Sequence, residues 1–299
     1  MKATTPSAGR GPAARRAIGA ALWRIAATAL AGGLISATLV RFSPGFGLDE
    51  RQLDSTVSAQ SQEILRHSHD RERDLPRFYA GYLRAMLRGD LGNSVAFGRP
   101  IRELLAERAP LTAGLMIAGA AGAWMLAWLL AIPAAASRSP WPGAASGVLS
   151  SVPASVPAAG LAILLFRLGA SPVWGISLVL FPKIYQCLHS LLRQSYGMPH
   201  VLLARAKGLR GYQIFLRHVL PVARAPLLAL IAVSINLAFG ASVAIEAVSD
   251  LPGLGQLAWK GAVARDLPLL VVLTLAIALV TQVSNLMADL LSPARGRIA

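Results

Sequence analysis

Between His200 and Pro226 the chain carries Arg205, Lys207, Arg210, Arg217 and Arg224 and no acid. Such side chains hold carboxylates and phosphates; alone they make and break no covalent bond. Two readings fit them. One is a docking surface for an acidic partner. The other is a loop whose charge only fixes orientation in a membrane. A second polar set is Lys183, Gln186, His189 and Arg193, spaced three, three and four apart and so on one face of a helix. A polar stripe entering an apolar segment fits a solute pathway or a subunit contact. It also fits a helix end whose polar side chains snorkel to the cytoplasm. A third set surrounds Glu246 and Asp250, where Pro252, Gly253 and Gly255 predict a tight turn.

Much chemistry is excluded. The dipeptide Gly-Lys never occurs, so there is no phosphate-binding loop of the GxxxxGK[ST] form. No HExxH, GxSxG or Cys/His metal cluster is present. His67 with His69 is a weak metal hint in a charged loop, and the expectation is no bound metal or cofactor and no enzyme activity. Cys187 is the one cysteine, so no disulfide forms within the chain, and its apolar context predicts a small core residue. An ion-coupled carrier usually places a carboxylate near the bilayer middle. Glu246 and Asp289 instead stand near the ends of apolar runs, which disfavours that class.

The elements that position these residues follow from composition. The chain is 55% hydrophobic and 14% charged, far too apolar for an ordinary soluble domain. Charge-free runs at 25–40, 109–137, 139–166, 168–182, 225–245 and 267–288 approach or exceed the about 20 residues a helix needs to cross hydrocarbon. They predict an all-α polytopic membrane protein of six transmembrane helices, at 17–41, 111–136, 144–167, 172–190, 225–245 and 267–291. Gly143 and Gly147 would let the third helix pack closely, and Pro153 and Pro157 should kink it. Residues 1–16 read as disordered and 17–299 as the transmembrane domain, with an external insertion at 43–108 and a cytoplasmic loop at 193–224. The 17–41 segment is read as a retained helix, with a cleaved signal peptide as the alternative.

Apolar residues at Val201, Leu202, Ala204 and Leu209, and then at Ile214, Phe215, Val219 and Leu220, predict two short amphipathic helices. Gly208 and Gly211 lie between them, and Pro221 and Pro226 should punctuate the next apolar run. The net charge of +15 sorts along the chain. Ten of the fourteen acids lie between Asp49 and Glu107, so the insertion is nearly neutral. The N-terminus, the turn at Arg138, the 200–226 loop and the tail with Arg295 and Arg297 are basic without acids, which predicts them all inside. A nucleic-acid partner would not require that sorting and is not expected.

Several stretches resemble one family. Ala204-Arg205-Ala206-Lys207-Gly208-Leu209, followed by Arg217-His218 and by Pro226, resembles the EAA loop of ABC importer permeases of the type I fold, most closely the peptide/nickel (dipeptide and oligopeptide) branch. The resemblance extends to Gly89-Asp90-Leu91-Gly92 with Ser94, to Gly98-Arg99-Pro100, and to Thr112. It continues through Glu246 with Pro252-Gly253-Leu254-Gly255, Arg265-Asp266-Leu267-Pro268, and Asn285 with Asp289. It covers roughly residues 75–293. Departures stand at Leu202, where the general pattern has Glu, and at Gln186 and His189, where Arg is more usual.

The resemblance implies a permease subunit of an ATP-driven importer in a bacterial-type inner membrane. It implies a second permease subunit, two ATPase subunits carrying ATP and Mg, an extracytoplasmic solute-binding protein, and a lipid surround. Residues 204–209 and Arg217 would couple to the ATPase. Glu246, Asp250, Pro252, Gly253 and Gly255 would lie near the binding protein, and Lys183, Gln186 and His189 would line a pathway or a subunit face. An ion-coupled secondary carrier, and a permease-like scaffold without transport, remain as alternatives.

Overall fold

In this computed structural model the described residues are 89–137 and 139–291, with side chains to Met287, together with Gly19, Trp23, Ala27 and Ala31. The expectations for residues 1–16, the 17–41 helix, most of the 43–108 insertion, His67, His69, Arg138, the Asp289 side chain and the basic tail lie outside them.

The described residues form α1 (Ile101–Ala136), α2 (Trp141–Ala154), α3 (Ala158–Arg167), α4 (Pro172–Tyr196), α5 (Pro199–Ala206) and α6 (Gly211–Ile214). A π-helical turn (Phe215–Val219) then leads into α7 (Leu220–Val248), followed by α8 (Leu254–Val263) and α9 (Leu267–Leu291). The all-α expectation stands. Among the described residues four helices are long and apolar enough to cross a membrane, and α2 with α3 makes a fifth if that bent pair is one span.

Three boundaries differ from the sequence expectation. First, the helix expected at 111–136 starts ten residues earlier, as Ile101–Ala136, and runs through Pro110 and Pro133. Pro110 frees the carbonyl of Ala106, and both residues are exposed, so that carbonyl sits on the outside of the helix and need not end it. Second, the expected single helix at 144–167 is broken into α2 and α3, bent by 88°. Pro153 stays inside α2, whereas Pro157 has an extended backbone (φ −56°, ψ 143°) and makes the break. A residue before proline is disfavoured from helix, so Val156 cannot carry the ladder forward.

Third, Pro221 does not separate a loop helix from a span: residues Gly211–Val248 run as one 38-residue helical rod. The π turn supplies the reason. Leu220 donates its N–H to the carbonyl of Phe215, five residues back. That wider turn makes room for a proline ring that would otherwise press on the preceding turn.

Two compact units divide the chain. Among the described residues the first contains Pro110–Gln256 and 280–291. Its core is a helix-on-helix seam. Ala123, Ala127 and Ala131, four apart on α1, are fully buried, as are Ile176, Ile184, Leu188 and Leu192 on α4. Leu227, Ala238, Ala241 and Ile245 complete the cluster from α7. Small residues set how closely α1 approaches α4, since a Cβ built at Gly119 would lie 2.5 Å from Ile176 Cγ2. Gly119→Leu overpacks this seam, which costs about 1–3 kcal/mol. It should lower the melting temperature in detergent by roughly 5 °C. Gly114→Leu, where nothing lies within 4 Å, should leave it unchanged. Equal melting for both variants would mean that the seam does not set stability.

Among the described residues the second unit contains 89–109 and Leu257–Leu279. Its centre is the buried Asp266, which accepts from the Ser94 hydroxyl, from Ala96 N–H at 3.0 Å and from Leu269 N–H at 3.1 Å. The last bond caps the first turn of α9, while the first two fix the Gly-Asp-Leu-Gly-x-Ser segment in place.

Candidate functional site

The basic loop is built as a pinned face and a free face. Val201, Ala204, Ile214 and Val219 are buried in the core. The exposed face carries Leu202, Leu203, Tyr212 and Leu216 as large apolar side chains, each more than half exposed. Around them Lys207, Arg210, Arg217 and Arg224 are exposed. Arg205 is half-buried, with its guanidinium 5.5 Å from the centre of the Tyr196 ring. A cavity of about 560 Å³ lies beneath the loop, lined by Tyr196, Arg205, Leu209, Tyr212, Phe215 and Ile132.

Gly208 turns the chain. Its φ is +76°, the left-handed region that glycine enters without strain. Gly208 N–H reaches the carbonyl of Arg205 at 3.0 Å, and Leu209 N–H reaches that of Ala204 at 3.3 Å. This pair of bonds is a Schellman end to α5, with Leu209 packing back against the core. Gln213 Oε1 accepts from Arg210 N–H at 3.1 Å and opens the next helix. Two expectations change in detail. Ala204 faces inward rather than outward, and Leu209 fills a depression in its own chain. The helical phase of Ala204 and the Schellman turn before Leu209 put them on the pinned side, so the outward set is Leu202, Leu203 and Ala206.

The outer turn is organised by a buried carboxylate. Glu246 is fully buried; its Oε2 accepts from Gly255 N–H at 2.7 Å. Thr112 Oγ1 accepts from Leu254 N–H at 2.8 Å. Gly253 is in close approach: a Cβ there would overlap Glu246 Oε2 and lie 2.7 Å from Thr112 Oγ1. The Asp250 side chain accepts from Gln256 Nε2, and its own backbone has a φ of +50°. Of the five residues expected at an external contact, Asp250 and Pro252 are at the surface, whereas Glu246, Gly253 and Gly255 are inside. Glu246 therefore shapes the turn rather than meeting a partner. Its burial is invisible to a reading that sees only its place near the end of an apolar run.

The third set stays on one helix face. Lys183, Gln186 and Arg193 are exposed on α4 and His189 is half-buried. The His189 ring stacks on Tyr185 at 5.6 Å between centroids, and its buried Nε2 has no hydrogen-bond partner. Tyr185 OH pairs with Ser146 on α2. A Cβ at Gly143 would stand 3.6 Å from His189 Nε2, so the expected close packing occurs there, whereas Gly147 faces open space. Sequence reasoning missed the Ser146–Tyr185 pair and the pair Asn236–Asn285, whose side-chain amides meet at 3.3 Å. An Asn inside each of two apolar runs was the available signal for the second. It also missed that Asp266 serves Ser94, although an Asp before Leu-Pro is a helix-start signature. Among the described residues no three His, Cys, Asp or Glu side chains group to hold a metal.

Residues 123–297, more than half of the chain, match the family described as binding-protein-dependent transport system inner membrane component. The chain belongs to this family. As an ABC importer permease it is a transport subunit of the inner membrane, and not an enzyme. The match spans the basic loop, the outer turn and the α4 stripe. A Brucella ovis protein provisionally named a peptide permease is 28% identical over 282 residues, covering 84% of this permease and 88% of that one. The glutathione transport system permease protein of Pectobacterium atrosepticum is 28% identical over 259 residues, covering 81% and 83%. That of Salmonella typhimurium is 27% identical over 253 residues, covering 79% and 83%.

Proposed function

We propose that this permease conducts peptides or related small solutes inward, driven by a separate ATPase that its 200–220 loop engages. The observation that carries the reading is the divided loop. One face is buried in the bundle, and the other presents Leu202, Leu203 and Leu216 among four exposed cations. A partner groove with acidic rims fits that face, because rim charges steer association while apolar anchors hold it. The names of the relatives supply the solute class.

In this reading a second permease chain, two ATPase subunits binding ATP and Mg, and an extracytoplasmic binding protein complete the assembly. ATP closes the ATPase pair, the loop moves with it, and the helices open the route outward. The binding protein delivers solute near Asp250 and Pro252, and hydrolysis resets the cycle. The deciding experiment expresses the chain with the transporter subunits encoded beside it. Copurified ATPase together with ATP-dependent peptide uptake supports the reading. Uptake without an ATPase means a self-contained carrier, and neither result means a scaffold.

Orientation follows from the charge sorting. With Cys187→Ala as background, Ser61→Cys should react with an impermeant thiol reagent in intact spheroplasts, and Arg210→Cys should not. The opposite pattern would reverse the topology and remove the loop from the ATPase side.

A further inference from the structure

Lys183 is the twelfth residue of the 25 in α4, one position from its middle. At about 1.5 Å per residue it stands roughly 16 Å from one end of the helix and 20 Å from the other. A lysine near a helix end can snorkel to the headgroups; one at the middle cannot. Lys183 is nonetheless exposed, as are Gln186 and Arg193 on the same face. A lipid-facing position is therefore excluded by cost, and this face meets either water or another protein.

Its surroundings hold no compensating acid. Between Glu107 and Glu246 the sequence contains no Asp or Glu. Glu246 is buried and engaged with Gly255. Nothing acidic thus stands on α2, α3 or α4, or on α7 before Glu246. Along the same face His189 leaves a buried Nε2 without a partner, beside Tyr185 and Ser146. A face with two exposed cations and an amide, and no acid beside them, is complementary to an anion.

We propose that the Lys183–Gln186–Arg193 face of α4 is an aqueous wall of the solute route that guides a carboxylate, so that the transported solute carries a free carboxylate past it. This rests on the transport reading above and narrows its solute class. A free peptide C-terminus supplies such a group, and a C-terminal amide lacks it.

Two measurements test the proposal, and the first needs no solute. In Cys187→Ala background, Gln186→Cys, which leaves Lys183 and Arg193 in place, is treated in permeabilised membranes with thiosulfonate reagents bearing either a sulfonate or a trimethylammonium group. The sulfonate reagent should react at least tenfold faster. No reaction with either reagent, or faster reaction with the cation, overturns the proposal. The second measurement uses the complete transporter with trialanine and trialanine amide as probes. Lys183→Gln should reduce trialanine uptake about tenfold and amide uptake less than twofold, and Lys183→Arg should restore the difference. Equal losses for both probes, or no loss for either, overturn the proposal. If the wild-type transporter takes up neither probe, the peptide reading falls, and the labelling rates still decide whether the wall is aqueous and anion-selective.

Discussion

Gly208→Val should leave the permease inserted in the membrane but reduce solute uptake at least tenfold and weaken copurification of the ATPase. The argument begins at one backbone angle. Gly208 has a φ of +76° with open space around it, so added methyl groups would meet no neighbour. The cost is conformational alone. A β-branched residue held there stores about 1–3 kcal/mol. The chain can relieve that strain by giving up the two bonds from Gly208 and Leu209 that close α5. α5 would then lengthen or fray, and Lys207, Arg210 and Arg217 would lose their fixed spacing. Gly208→Asn, which tolerates the left-handed region better, should retain most uptake. Uptake and copurification at wild-type levels in Gly208→Val would reduce the loop to an orienting charge.

The second large effect is expected at the outer turn. Glu246→Ala removes the acceptor of Gly255 N–H from a fully buried site. One hydrogen bond contributes a net of about 0.5–1.5 kcal/mol, and the buried donor left behind bears a desolvation cost of about 1–3 kcal/mol. Gly253→Val attacks the same junction sterically, because its side chain would occupy the space of Glu246 Oε2 and Thr112 Oγ1. Both variants should lower the melting temperature in detergent by roughly 10 °C. Both should also abolish uptake, since the turn that carries Asp250 and Pro252 loses its anchor. Glu246→Gln keeps an oxygen able to accept from Gly255 and should lose less than half as much. Unchanged melting of Glu246→Ala would show that the carboxylate does not hold the turn.

These two sites differ in how far the sequence disclosed them. Gly208 was legible because a glycine between two amphipathic runs has few other uses, and its positive φ followed. The apolar runs likewise disclosed the helices, since charge-free segments of that length have one way to satisfy their backbone in lipid. Glu246 was not legible as a buried anchor. Its partners are the backbone of Gly255 and the neighbouring Thr112, and a backbone donor leaves no mark in the sequence. Pro157 and Pro221 show a similar limit. Both prolines read as interruptions, yet one ends a helix with an 88° bend and the other is carried through by a π turn. The outcome depends on whether neighbouring carbonyls find donors, which is decided by the fold. The inward phase of Ala204 was hidden for the same reason: a short helix with apolar residues on more than one side does not declare which side is covered.

The π turn at Phe215–Val219 has a bearing on mechanics. An α-helix advances about 100° per residue, and a π turn accommodates one extra residue without ending the rod. Everything from Gly211 to Ile214 is thereby rotated, relative to α7, by about a quarter of a circle from where an unbroken α-helix would put it. The 38 residues of the rod are long enough to act as a crank, with the basic loop at one end and the outer turn beyond the other. The crank angle is set by that single surplus residue. Tightening the π turn to α, or letting the surplus migrate along the helix, would swing Tyr212 and Arg210 about the axis of α7 while every span kept its place.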